Sequence, residues 1–158
     1  MPIVESSITI RAPKDQLFAL AQDYYIRLEW DPFLSAIQFL DGAKEAAVGV
    51  RVLVKSKRGQ TMEVEYTTVE PPHRVAVKMT KGPFFFRQFG GAWRFDDLAA
   101  DETIVRFRYS FQSRWSLLRW LIDPVIRWVF LRDIQARLHG LKHAAENTDI
   151  LKRLPTRT

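Results

Sequence analysis

Hydrophobic and polar positions alternate through most of the first 113 residues, and then the period changes. Ile3 to Arg11 alternates and is rich in β-branched residues, which predicts a first strand. Ala12-Pro13 ends it. Asp15 stands near a helix start, and Leu17, Phe18, Leu20 and Ala21 then recur at helical spacing. A second short helix is predicted from Tyr24 to Glu29, closed by Trp30-Asp31-Pro32-Phe33. Strand patterns follow at 36–40, 50–57, 61–69, 74–80, 85–96 and 103–112. Their separators, such as Asp41-Gly42, Arg58-Gly59 and Pro71-Pro72, are turn-forming. Such short connections imply antiparallel neighbours rather than βαβ units.

From Arg114 the sequence reads RWSLLRWLIDPVIRWVFLRDIQARLHGLKHAAEN. Asp123-Pro124 has the chemistry of an N-cap followed by a first helical residue, so the main helix is expected to start there after a shorter one. Leu131, Ile134, Leu138, Leu141 and Ala145 form its apolar stripe. The order predicts an α+β fold, a curved antiparallel β-sheet of about seven strands wrapped around a long C-terminal α-helix. Two short helices lie between strands 1 and 2, and Gly90-Gly91 supplies a kink. One domain is expected over residues 1–147, with 148–158 as a flexible tail.

Alternation assigns Val50, Val52 and Val54 to the inner face, followed by Met62, Val64 and Tyr66, and by Val75, Val77 and Met79. Trp93, Phe95, Val105, Phe107, Tyr109 and Phe111 complete it. Val, Leu and Ile suffice to fill the space under one helix. This many aromatic rings, with indole and phenol groups that need partners, suggests the walls of a concave space instead.

Composition narrows the class. The 158 residues are 47% hydrophobic and 27% charged, as in ordinary globular domains. The absence of cysteine excludes disulfides, thiolate metal sites and a cysteine nucleophile. The opening MPIVESSITIRAP predicts no secretory signal, and a cytoplasmic location is the default. Of the net charge of +6, residues 1–113 hold 15 basic against 14 acidic side chains, and residues 114–158 hold 9 against 4. Arg114, Arg119 and Arg127, interleaved with Trp115, Trp120 and Trp128, could rest on an anionic surface, which adds peripheral attachment at the inner membrane as an alternative. No nucleic-acid recognition motif is present. His139, His143 and Glu146 have metal-ligand spacing but fall on the polar side of the helix, so neither metal nor cofactor is assigned. Asp23, Glu29 and Asp31 cluster near the expected mouth, where a buried carboxylate could act as a base; Asp31 before Pro32 reads more simply as a turn former.

Three segments carry a family resemblance. ITIRAPKDQLFALAQDYYIRLEWDPFL, GGAWRFDDLAADETIVRFRYSF and LIDPVIRWVFLRDIQARLHGLKHAAE resemble the opening, the hairpin and the closing helix of the START-related helix-grip superfamily (SRPBCC; polyketide cyclase/dehydrase-like). The resemblance implies a deep hydrophobic cavity between sheet and terminal helix, used by relatives for lipids, sterols, quinones, polyketides or plant hormones. The expected function is binding, with transport or presentation, of a small hydrophobic or amphipathic ligand such as a lipid, quinone or polyketide. Trp30, Tyr66, Met79, Trp93, Phe107, Tyr109 and Val129 are expected to face it, and Arg127 to anchor a polar end. The alternatives are a cyclase/dehydratase-type enzyme, for which no catalytic residue is assigned, and a membrane-peripheral interaction protein. Either a monomer or a homodimer fits.

Overall fold

The computed structural model describes residues 2–154, the side chain of Ser116 excepted. Strand β1 (Ile3–Ile10) is followed by helices α1 (Lys14–Gln22) and α2 (Tyr24–Trp30). Six strands come next: β2 (Leu34–Phe39), β3 (Arg51–Ser56), β4 (Thr61–Glu70), β5 (Arg74–Lys81), β6 (Phe86–Ala99) and β7 (Glu102–Ser113). A 3-10 turn at Ser116–Leu118 leads into α3 (Arg119–Asn147), and a second lies at Ile150–Arg153.

The strands form one antiparallel sheet in the order β1-β7-β6-β5-β4-β3-β2. It is the expected meander, with β1 added beside β7, and it curls into a half-barrel around α3. Register shifts in the β2–β3, β4–β5 and β6–β7 pairs supply the curl, because an extra residue on one strand bends it and increases its twist. At Gly90, a Cβ would stand 3.2 Å from both Ser110 Oγ and the Val77 carbonyl. That is where pairing between β5 and β6 ends, at Lys78 opposite Gly90. The strands part beyond it.

Alternation does place one face inward. Val52, Val64, Tyr66, Val75, Trp93, Phe95, Val105, Phe107, Tyr109 and Phe111 are buried. From the other side, Ile134, Leu138 and Leu141 of α3 are almost wholly enclosed, each contributing about 1.5–3 kcal/mol by burial. Salt bridges sit on the convex face, including Arg51 with Glu63 at 3.4 Å and Lys78 with Glu65 at 3.3 Å.

One expectation needs correction. The main helix starts at Arg119, not at Asp123-Pro124, and Pro124 lies inside it. Asp123 does not cap the helix. It accepts a hydrogen bond from Ser113 Oγ (3.3 Å), tying the start of α3 to the end of β7. Beyond α3 the chain packs back as far as Leu154: Ile150 is buried, and Arg153 makes a two-pronged contact with Glu29 at 2.8 and 2.9 Å. Residues 155–158 lie outside the described residues. No helix among the described residues is long and apolar enough to cross a membrane.

Candidate functional site

Between the concave face and α3 lies a cavity of about 270 Å³, the room taken by about nine water molecules in the liquid. Val52, Val54, Val64 and Tyr66 form one wall, from β3 and β4. Trp93, Phe107 and Tyr109 form the floor, and Ile126, Val129 and Phe130 of α3 form the roof. Pro83, Phe85 and Val125 border it where β5 and β6 have parted. The floor and roof are rigid because their rings interlock. Trp93 stacks on Phe107 with centroids 3.9 Å apart, and Phe130 meets Tyr109 edge-on at 5.1 Å.

Of the side chains expected to face a ligand, Tyr66, Trp93, Phe107, Tyr109 and Val129 line this cavity. Trp30, Met79 and Arg127 do not. Trp30 packs edge-on behind Trp93 at 6.2 Å, and its indole Nε1 is buried with no acceptor among the described residues. Met79 packs beside Gly82, outside the lining. Arg127 is exposed at the β1 edge, in a shallow groove with Ile3, Val4 and Glu5, because α3 overruns the beginning of β1.

The polar end of the cavity is built by residues that the alternation pattern does not reveal. Asp31 is 1% exposed. Its Oδ1 accepts from the Phe33 amide (3.0 Å), forming the turn that its place before Pro32 suggested. Its Oδ2 accepts from Arg137 Nη2 (2.9 Å), Arg137 Nε (3.1 Å) and Arg27 Nε (3.3 Å). Arg137 Nη1 then donates to Tyr109 Oη at 2.5 Å. Aromatic faces surround both cations. The Arg137 guanidinium lies 4.7 Å from the Phe107 centroid and 4.9 Å from that of Phe33, and the Arg27 guanidinium is 5.8 Å from Trp93.

Helix geometry explains how three charged groups meet here. Arg27 and Asp31 are one turn apart, at i and i+4, at the end of α2. Arg137 lies three residues after Ile134 and four before Leu141, on the apolar stripe itself. Gly140 lets α3 approach: a Cβ there would stand 2.6 Å from the Trp30 carbonyl oxygen and 3.1 Å from Pro32 Cδ. Although the expected site omitted Arg137, it was legible in principle as the charge beside Ile134 and Leu138 on that stripe. Its partner was not, because Asp31 is 106 residues away.

The electrostatics follow from burial and pairing. Burial pushes the Asp31 carboxyl up, but Arg137, Arg27 and the Phe33 amide outweigh it and hold it below the ordinary value. Burial disfavours the Arg137 cation, yet Asp31 and Tyr109 keep it firmly protonated. Burial raises the phenols of Tyr24, Tyr66 and Tyr109, so all three are neutral donors at physiological pH. Two guanidiniums against one carboxylate leave this end with an excess of one positive charge. Arg137 uses all three of its nitrogens on protein acceptors. Arg27 uses Nε and, toward the Ala21 carbonyl, Nη1 (2.8 Å). Its Nη2 has no protein acceptor among the described residues, and Arg27 lines the cavity. Nearby, the hydroxyls of Tyr24 and Tyr66 are hydrogen-bonded to each other, and Tyr66 donates to Gln22 Oε1 at 3.1 Å.

Among the described residues, the only carboxylate in the lining is Asp133, at the rim. It pairs at 3.2 Å with Arg58 from the β3–β4 turn, and its carboxyl is raised, chiefly by burial. Among the described residues, no group of three or more His, Asp or Glu is placed to hold a metal ion. His143 contacts Asn147, and Glu146 is taken by Lys142 and the Arg11 amide.

The fold is shared with solved structures of low sequence identity. XoxI from Bacillus cereus superposes with a TM-score of 0.76 at 13% identity, covering 93% of this chain and 97% of that one. A START superfamily protein from Mycobacterium smegmatis gives 0.76 at 9% identity, covering 91% and 97%. The Zhui aromatase/cyclase from a Streptomyces species gives 0.70 at 18% identity, covering 92% and 96%. No curated protein matches the sequence. Residues 1–146 match the family described as polyketide cyclase / dehydrase and lipid transport. By that match, and with the helix-grip architecture that the first, middle and last segments suggested, the chain belongs to the polyketide cyclase/dehydrase and lipid transport family.

Proposed function

We propose that this protein binds a small amphipathic molecule, apolar body in the cavity and acidic or phenolic end toward Arg27. The observation that carries the reading is the unbalanced positive charge at the Arg27 end of a largely apolar pocket. A buried charge without a counter-charge is costly, and an anion seated beside Arg27 Nη2 would relieve that cost.

Native mass spectrometry of the purified protein identifies any ligand carried through purification. Titration with dodecanoate and with dodecanol then separates head-group chemistry from chain burial. The acid should bind at least about tenfold more tightly, as a charge-assisted hydrogen bond contributes about 1.5–3 kcal/mol. Arg27→Met should erase that preference, and Val77→Phe, which narrows the cavity, should weaken both ligands. Equal binding of the two probes would overturn the assignment of the polar end; failure of both to bind would overturn the binding role.

A second reading rests on Asp133, a lining carboxylate whose raised proton affinity suits acid–base work. In that reading the protein cyclises or dehydrates a polyketide-like substrate. Turnover of a poly-β-ketone thioester by the wild type but not by Asp133→Asn would support it. Asp31 is a poor candidate for the same role, because two guanidiniums hold it ionised.

A further inference from the structure

We infer that the N-terminal half of α3 and the β5–β6 turn form a docking surface for an anionic lipid bilayer, with the cavity opening onto it. This half of the helix is apolar on two sides. Ile126 and Phe130 face the cavity, while Leu121, Val125 and Trp128 share the outer face at i, i+4 and i+7. Trp120 is 77% exposed, Trp128 59% and Leu117 88%. Across the gap between β5 and β6, Phe84 is 72% exposed and meets Trp115 edge-on at 5.8 Å, so the two segments make one patch. Contiguous exposed apolar surface of this kind marks an interaction site.

The patch and the cavity are continuous. Val125 is exposed and also lines the cavity, and Phe85 lines it directly beside Phe84. A molecule leaving between Phe85 and Val125 would enter whatever covers the patch.

Charge identifies the occupant. Residues 114–132 hold Arg114, Arg119, Arg127 and Arg132 against Asp123 alone, four minus one, or +3. The Arg132 guanidinium lies 4.9 Å from the Trp128 ring, and Arg119 Nε is buried with no acceptor among the described residues. Apolar and indole groups framed by arginines suit the boundary between acyl chains and anionic headgroups. A second copy of this chain would bring the same positive charge against itself, which opposes self-association through this face.

Flotation with vesicles of phosphatidylcholine, with and without phosphatidylglycerol, tests the inference. The protein should float with the anionic vesicles, should bind phosphatidylcholine alone far more weakly, and should be released by salt. Each arginine reversed among Arg114, Arg119 and Arg132 should weaken binding by roughly fivefold or more. Trp120→Ser with Trp128→Ser should abolish it, with a thermal melt showing that the fold is retained. Binding that ignores phosphatidylglycerol or survives the reversals would overturn the proposal. So would a concentration-dependent dimer in sedimentation velocity that the Trp120→Ser, Trp128→Ser protein no longer forms. None of the substituted residues lines the cavity, so dodecanoate binding by these variants should be unchanged. Loss of vesicle binding therefore leaves the ligand reading standing, and loss of dodecanoate binding leaves docking standing.

Discussion

Asp31 accepts four hydrogen bonds, three of them from guanidinium nitrogens, at a point water scarcely reaches. Removing it strands two cations rather than deleting one contact. Asp31→Ala should destabilise the protein by about 3–5 kcal/mol in urea unfolding, the range for breaking a buried pair from one side. Restoring balance by adding Arg137→Met should recover part of the loss. The pH dependence has a definite sign. The folded carboxyl lies below its ordinary value of 3.8, so its stabilisation is complete above that value and disappears as pH falls through the folded one. The gap in urea midpoint between wild type and Asp31→Ala should therefore be flat from neutrality down to about pH 4 and shrink below it. Gly140 gives a second residue-scale test. Alanine is the better helix former by about 1 kcal/mol, but its methyl would meet the Trp30 carbonyl at 2.6 Å. Gly140→Ala should lower the melting temperature, and a rise would show that α3 does not approach Trp30 so closely.

At the scale of elements, much of the architecture was legible because the period of the hydrophobic pattern changes where the structure changes. The strands predicted at 74–80 and 103–112 match β5 and β7 to within a residue or two at each end. The start of α3 was misread for a physical reason: Asp123-Pro124 has the right chemistry for a cap, but Ser113 takes the carboxylate and the helix is already one turn old. The aromatic inner face was visible in the alternation, whereas the polar end of the cavity was not. Local patterns reveal which face a residue occupies, but not which distant residue neutralises it. Pro124 offers a test of α3 itself. Lacking an N–H, it leaves the Trp120 carbonyl without its helical donor. Pro124→Ala restores that bond and should stabilise the helix start. Slower amide hydrogen exchange across residues 120–128 is the expected readout.

For the whole molecule, the contact between Arg58 and Asp133 joins the β3–β4 turn to α3 across the cavity rim. Arg58 is largely exposed, so the pair contributes about 0–1 kcal/mol to stability, and Asp133→Asn should barely move the melting temperature. Its effect should be kinetic. With the latch released, dodecanoate exchange should quicken by up to about fivefold, the rate equivalent of 1 kcal/mol. Stopped-flow displacement measures this, and an unchanged rate would mean that ligands pass elsewhere, with the gap between Phe85 and Val125 the obvious route.

The bond between Asp31 and Arg137 also bears on how the chain is made. All seven strands have been synthesised by Ser113, before the helix that covers them. Until Arg137 leaves the ribosome, Asp31 has only Arg27 for a partner, and the rings of Trp93, Phe107 and Tyr109 face water. A nascent chain in that interval exposes a concave apolar sheet, the kind of surface that chaperones engage. The interval between synthesis of β7 and emergence of α3 is when this fold is most vulnerable to aggregation.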